Sequence, residues 1–388
     1  KKRRLPNRRF AKRPLFRMRR ASFDSVVCLC LALLLGSCSV RRNNASTRFY
    51  HNLTTRYNVY FHGKNAFDET YNSFVASYSE SYSRQIFLDP IEAQRGALKE
   101  QKGGAFDPAL AKGQTAIKLH SIRTKPERKG RPSAREAEFY KRREYNTFLH
   151  NAWLLVGKSQ FYNGDFLDAM ATFSYMSRLY ATEPAIRDEA RLWQARSYTA
   201  MGWLHEAEEM IRTLQTDASY LRKSQVYDKT LAEVALSKER IDEAIEPLRR
   251  AIAKEESRTE KLRMRYLLGQ LLVQSGRPSE AQKVFRSLLS KAPPFALEFA
   301  TQLRLVEIEA ERNVRRAITT TEKMARRGRN KEVLDRLYLT QGDLYLRQLD
   351  SLSALKSYNL GVEKSTEHGG DFALCAVAAG QLYLAKRD

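Results

Sequence analysis

The sequence predicts an all-α protein: an α-solenoid of about six helical hairpins plus the start of a seventh, preceded by an aromatic helical N-terminal region. Three observations lead there. Alanines recur at 169, 207, 244, 281, 317 and 354, in steps of 36 to 38 residues, as stacked helical hairpins require. Within the first unit, Trp153, Gly157, Gly164, Ala169, Phe173 and Pro184 set small residues where paired helices approach and a ring where neighbouring units meet. Ahead of the repeats, Tyr57, Tyr60, Phe61, Phe67, Tyr71, Phe74 and Tyr78 fall near helical spacing.

The chain opens on a leader. Residues 1–20 carry eleven Lys or Arg and no acid, and Val26 to Leu35 is apolar apart from Cys28 and Cys30. Ten such residues make about 15 Å of helix, roughly half the hydrocarbon core of a bilayer. The run is too short to span and fits the apolar part of a secretory signal behind its basic flank. It closes on Leu35-Gly36-Ser37-Cys38, which resembles a bacterial lipobox. That resemblance implies a signal peptide over 1–37, removed before Cys38, with lipid on the Cys38 thiol. Residue 1 is not Met, and Met18 opens a more typical leader, so residues 1–17 read as non-native.

Export fits the composition. With Cys28 and Cys30 in the leader and Cys38 acylated, only Cys375 remains, so no intramolecular disulfide can form. Eleven cations against Asp24 in residues 1–38 mean that their loss takes the formal charge from +24 to +14. A basic balance often marks nucleic-acid binding. An exported lipoprotein meets acidic proteins and anionic headgroups instead, so no nucleic-acid partner is expected.

Residues 38–50, with "VRRNNASTR", read as a lipidated polar tether, and 51–144 as a helical N-terminal region with a basic linker. The aromatic stripe there reads as a helical hairpin turning near Gly63, with its rings in the core. Residues 85–106 are loop-like. Asp107 and Pro108 then start a short helix as cap and first residue. "RTKPERKGRPS" follows as an exposed linker.

The unit at residues 151–184 resembles a tetratricopeptide repeat. Further copies carry Ala195, Tyr198, Gly202 and Ala207; Ala232, Ala244, Leu248 and Ala251; Leu268, Gly269, Gly276, Ala281, Phe285 and Pro293; a degenerate set around Leu305 and Ala317; and Gly342, Tyr345, Ala354 and Tyr358. Gly380 and Tyr383 align with Gly342 and Tyr345, so the solenoid, taken as 145–388, reads as stopping inside a seventh unit.

Catalytic patterns are missing. The six histidines form no HExxH and no i, i+4 pair, and there is no GxSxG, GxxxxGK[ST] or GxGxxG. His51 and His62 read as packed among aromatics, and Cys375 as an inert core thiol. No enzyme activity, metal or cofactor is expected.

Three non-repeat stretches carry a finer likeness: "FYHNLTTRYNVYFHGKNAF", "GQTAIKLHSIRTKP" and "EYNTFLHNAWLLVGKSQFYNGDFLDAMATFSYMSRLY". Together they resemble the tetratricopeptide lipoproteins of the Bacteroidota type IX secretion and gliding machinery, the PorW/SprE family. The resemblance implies an outer-membrane lipoprotein facing the periplasm, a scaffold that connects secretion-ring subunits to the translocon. The alternative is a lipoprotein of the β-barrel assembly machinery. A glycan-binding repeat lipoprotein ranks last, since only 3 Trp are present. In the repeat family the first helix of each unit lines a concave groove. Here that face is read to include Lys158, Tyr162, Arg196, Arg263 and Tyr266, cations and rings suited to an acidic partner segment.

Overall fold

A computed structural model describes residues 40–78, 80–89, 104–127, 130–217, 221 and 224–385. The leader, Cys38 and the glycine-containing stretch 90–103 lie outside them. All regular structure among the described residues is helical. The chain divides into two compact units, Lys1–Ala76 with Arg95–Met201, and Ser77–Gln94 with Gly202–Asp388.

In the first unit, α1 (Ala45–Thr54) runs through a π-helical turn (Thr55–Val59) into α2 (Tyr60–Ser77). Helix α1 begins inside the stretch read as a tether because Asn44 caps it: Thr47 N donates to Asn44 Oδ1 at 2.8 Å. Gly63 is no turn. It is buried within α2, where an added Cβ would lie 2.9 Å from both Leu155 Cδ2 and Lys112 Cβ. The glycine serves close helix packing, and the stripe from Tyr57 to Phe74 follows the π-helical turn and α2 instead of a hairpin, with Tyr57 and Phe61 exposed rather than in the core. Next come α3 (Asp107–His120) and α4 (Ala134–Lys141). Asp107 is the first residue of α3 rather than its cap; its carboxylate accepts from Gly104 N and Asn163 Nδ2, each at 2.9 Å. The first full hairpin is α5 (Leu149–Asn163) with α6 (Phe166–Leu179), and α7 (Pro184–Ala200) opens the second repeat.

The second unit continues with α8 (Leu204–Asp217), α9 (Gln225–Ser237), α10 (Ile241–Lys254), α11 (Arg258–Gln274) and α12 (Pro278–Leu289). Then follow α13 (Phe295–Ala310), α14 (Val314–Ala325), a 3-10 turn (Gly328–Val333), α15 (Leu334–Arg347), α16 (Ser351–Lys364) and α17 (Gly370–Ala385).

Size complementarity explains the period. All six register alanines are fully buried on the second helix of their hairpin. On the first helix, Gly157 sits under Phe173, where an added Cβ would come within 2.5 Å of the ring, and Gly269–Phe285 and Gly342–Tyr358 repeat this seat. The partner stands sixteen residues on in each case. Where the seat is Ala195 or Ala232, the residue sixteen on is the smaller Ile211 or Leu248, and both are buried. The degenerate fifth repeat swaps the sizes, with Leu305 at the seat and Thr321 opposite in register. Close packing at fixed volume accounts for the exchange.

Candidate functional sites: a cation-bearing face in each unit

Trp193 organises the first unit. Buried on α7, its ring stacks on Phe173 at 5.8 Å and meets Phe161 and Tyr162 edge-on at 5.6 and 6.3 Å. Two cations lie over it: Lys158 Nζ at 4.9 Å and the Arg196 guanidinium at 4.5 Å from the ring centroid. Arg196 also lies 5.1 Å over Phe161. Beside them opens a cavity of about 420 Å³, lined by Phe67, Asp68, Tyr71 and Asn72 of α2, Lys158 and Tyr162 of α5, and Trp193.

Lys158 makes no ion pair among the described residues. Desolvation pulls its pKa below the ordinary lysine value, with Glu189 opposing and Arg196 and Lys64 reinforcing. A half-buried, underpaired ammonium beside aromatic faces is suited to an incoming carboxylate. Arg196 is only 5 % exposed and acts through the aromatic stack. Thus Lys158 and Tyr162 line one cavity, and Arg196 supports its Trp193 wall.

Arg263 and Tyr266, the other two residues read into the groove, lie on α11 in the second unit and face an unexpected occupant. Residues 80–88 of the same chain lie as a non-helical strap along the face made by Arg263, Tyr266 and Gln270 at i, i+3 and i+7. Arg263 Nε donates to Glu80 Oε2 at 2.7 Å, while Tyr78 OH donates to Glu80 Oε1 at 2.7 Å. The Arg263 fork continues to the carbonyls of Leu88, at 3.0 Å, and Phe87. Tyr266 OH donates to Tyr82 O at 3.1 Å. The Gln270 amide is used at both ends, donating to Arg84 O at 2.7 Å and accepting from Ile86 N at 3.1 Å. Ile86 and Leu88 join the core formed by α9–α13. Burial raises the Tyr82 phenol to about 12, aided by Glu80. Arg263 and Tyr266 are therefore covered rather than open, because Glu80 and the strap carbonyls satisfy them.

The three family-like stretches meet in a buried polar cluster of the first unit. His51 Nδ1 and His120 Nδ1 are 2.8 Å apart. Asn146 Nδ2 donates to Thr55 Oγ1 at 2.9 Å and to His120 O at 3.0 Å. Glu144 accepts from Ser121 Oγ, Ile122 N and Asn146 N. Burial raises the Glu144 pKa above the usual carboxylate range and lowers that of His51. His120 falls to about 4 through burial and then its histidine neighbour. His62, read as packed among aromatics, meets the Phe61 ring edge-on at 5.6 Å on an exposed face. Among the described residues no three His, Cys, Asp or Glu gather as metal ligands. No described helix is long and apolar enough to cross a membrane.

A family model matches part of the chain. Residues 262–293, within the fourth repeat, match the tetratricopeptide repeat. No curated protein matches the sequence. Three solved structures are similar at 13 % identity each. They are the apo quorum sensor NprR from B. thuringiensis, a tetratricopeptide repeat protein from Parabacteroides merdae and the P58(IPK) tetratricopeptide domain. Alignments cover 82, 81 and 78 % of this chain and 87, 99 and 79 % of those chains, with TM-scores of 0.40, 0.35 and 0.25. By its helical hairpins and the matched repeat, the described part of the chain is an all-helical, tetratricopeptide-like solenoid, a class of repeat that implies protein partners.

Proposed function

We propose that this chain is a non-catalytic scaffold that captures an acidic segment of a partner protein at the Lys158–Tyr162–Trp193 cavity. The observation that carries this reading is the underpaired, half-desolvated Lys158 over an aromatic wall in a cavity of about 420 Å³. An incoming carboxylate would regain the partner that burial denies the ammonium, and the rings would bury apolar surface. Capture would be salt-sensitive.

The setting rests on sequence. The lipobox-like Leu35-Gly36-Ser37-Cys38 supports a lipid anchor at Cys38 in the outer membrane, facing the periplasm. The PorW/SprE-like stretches support a link between the ring and translocon of a type IX secretion or gliding apparatus. Two acyl chains, at about 0.8 kcal/mol per buried CH₂, suffice for lasting attachment. A Cys38→Ala protein is expected to leave the membrane fraction on a high-salt wash; retention would contradict the anchor.

The test of function is affinity purification of the full-length lipidated protein with mass spectrometry of what accompanies it. Type IX ring or translocon subunits, lost with Lys158→Glu, are the expected result. Recovery of β-barrel assembly components, or of polysaccharide without protein, would overturn it.

A further inference from the structure

The strap behaves chemically as a peptide ligand. Every polar contact from α11 and α13 to residues 82–88 runs to main-chain groups. Arg263 takes the carbonyls of Phe87 and Leu88, Tyr266 that of Tyr82, Gln270 the carbonyl of Arg84 and the amide of Ile86. Arg304 of α13 adds the carbonyls of Tyr82 and Ser83 at 3.3 Å. Main-chain capture holds an extended segment without reading its sequence. Side chains are read at alternate points instead: Glu80 by Arg263, Tyr82 edge-on to Tyr266 at 5.1 Å, and Ile86 and Leu88 by the core. Ser81, Ser83, Arg84, Gln85 and Phe87 between them are exposed. Emptying the groove would take from Arg263 its Glu80 partner and both carbonyls, leaving it Glu260 at 3.6 Å on its own helix, so the face favours an occupant.

We propose that this groove is a peptide-binding site whose exchangeable occupant is an extended segment of a partner protein, and that residues 80–88 are its tethered competitor. The segment it fits carries a carboxylate, an aromatic two residues on, and aliphatic residues six and eight residues on. The inference rests on the protein-binding reading above but concerns a separate face, so the two fail separately: loss of capture with Lys158→Glu leaves binding here untouched.

The probe is a labelled peptide of sequence SYSESYSRQIFLD, matching residues 77–89. It is titrated into the full chain and into a Glu80→Lys/Ile86→Asp variant whose own strap is disabled. Binding to the variant at least tenfold tighter than to the unaltered chain, lost when Arg263→Ala is added, is expected. Equal binding to both, or none to a folded variant, overturns the proposal. Should the variant not fold, hydrogen exchange of the unaltered chain decides. Saturating peptide is expected to speed exchange across residues 80–88, and unchanged rates overturn the exchange.

Discussion

The faces of the two units place different residues at one position of the repeat. The residue after the seat glycine or alanine is Lys158 in the first repeat, Arg196 in the second and Gln270 in the fourth. In the first unit that column carries cations, which lie on Trp193 beside a cavity. At the fourth repeat, in the second unit, it carries an amide that pairs with Arg84 O and Ile86 N, the two main-chain groups that flank Gln85. A solenoid fixes where a side chain stands; neighbouring residues decide what it can bind. Arg263, six residues before its seat glycine, is not the counterpart of Lys158, and its buried ion pair with Glu80 belongs to the strap.

Substitutions that treat the two cations alike sharpen this contrast. Arg263→Ala takes the cation from the buried Glu80 carboxylate, leaving it Tyr78, and the donors from two carbonyls, a loss of about 3–5 kcal/mol. Lys158→Ala gives up only a cation–π contact, about 1 kcal/mol or less, since it also removes a desolvated charge. Urea unfolding of both variants measures the difference, and similar losses would break the distinction.

Acid weakens the first unit next. His120 takes its proton near pH 4 when folded but near 6.5 when unfolded, so the unfolded chain binds more protons between these values. The His51–His120 contribution is fully present above pH 6.5 and is lost as pH falls toward 4, by roughly 3 kcal/mol at about 1.4 kcal/mol per pH unit. Unfolding followed across that interval is expected to lose this slope in a His51→Gln/His120→Gln variant.

The smallest effects lie at the helix seats. Gly269→Ala pushes a methyl into Phe285 and is expected to cost about 1–3 kcal/mol. A lower melting temperature for Gly269→Ala, with the helical signal kept, checks the seat.

Much of this architecture was legible because it is local. The alanine period, the glycine–aromatic seats and the helix bounds follow from neighbours within sixteen residues, and size complementarity writes them into composition. Long-range contacts left no such trace. His51 and His120 are 69 residues apart, and the strap meets α11 across about 180, so neither spacing nor periodicity could pair them. Gly63 misled for a related reason: a glycine that permits close packing looks in sequence like one that permits a turn. Of the groove residues, placed by repeat register, Lys158 and Tyr162 share a cavity, while the partner of Arg263 lay in a stretch without helical pattern.

A double-mutant cycle on Glu80 and Arg263 tests the seating of the strap most directly. Unfolding free energies are compared for Glu80→Gln, Arg263→Gln, the pair together and the unaltered chain. A buried ion pair at 2.7 Å predicts a coupling of about 2 kcal/mol or more. Additive effects within about 0.5 kcal/mol would mean that the strap does not occupy the groove.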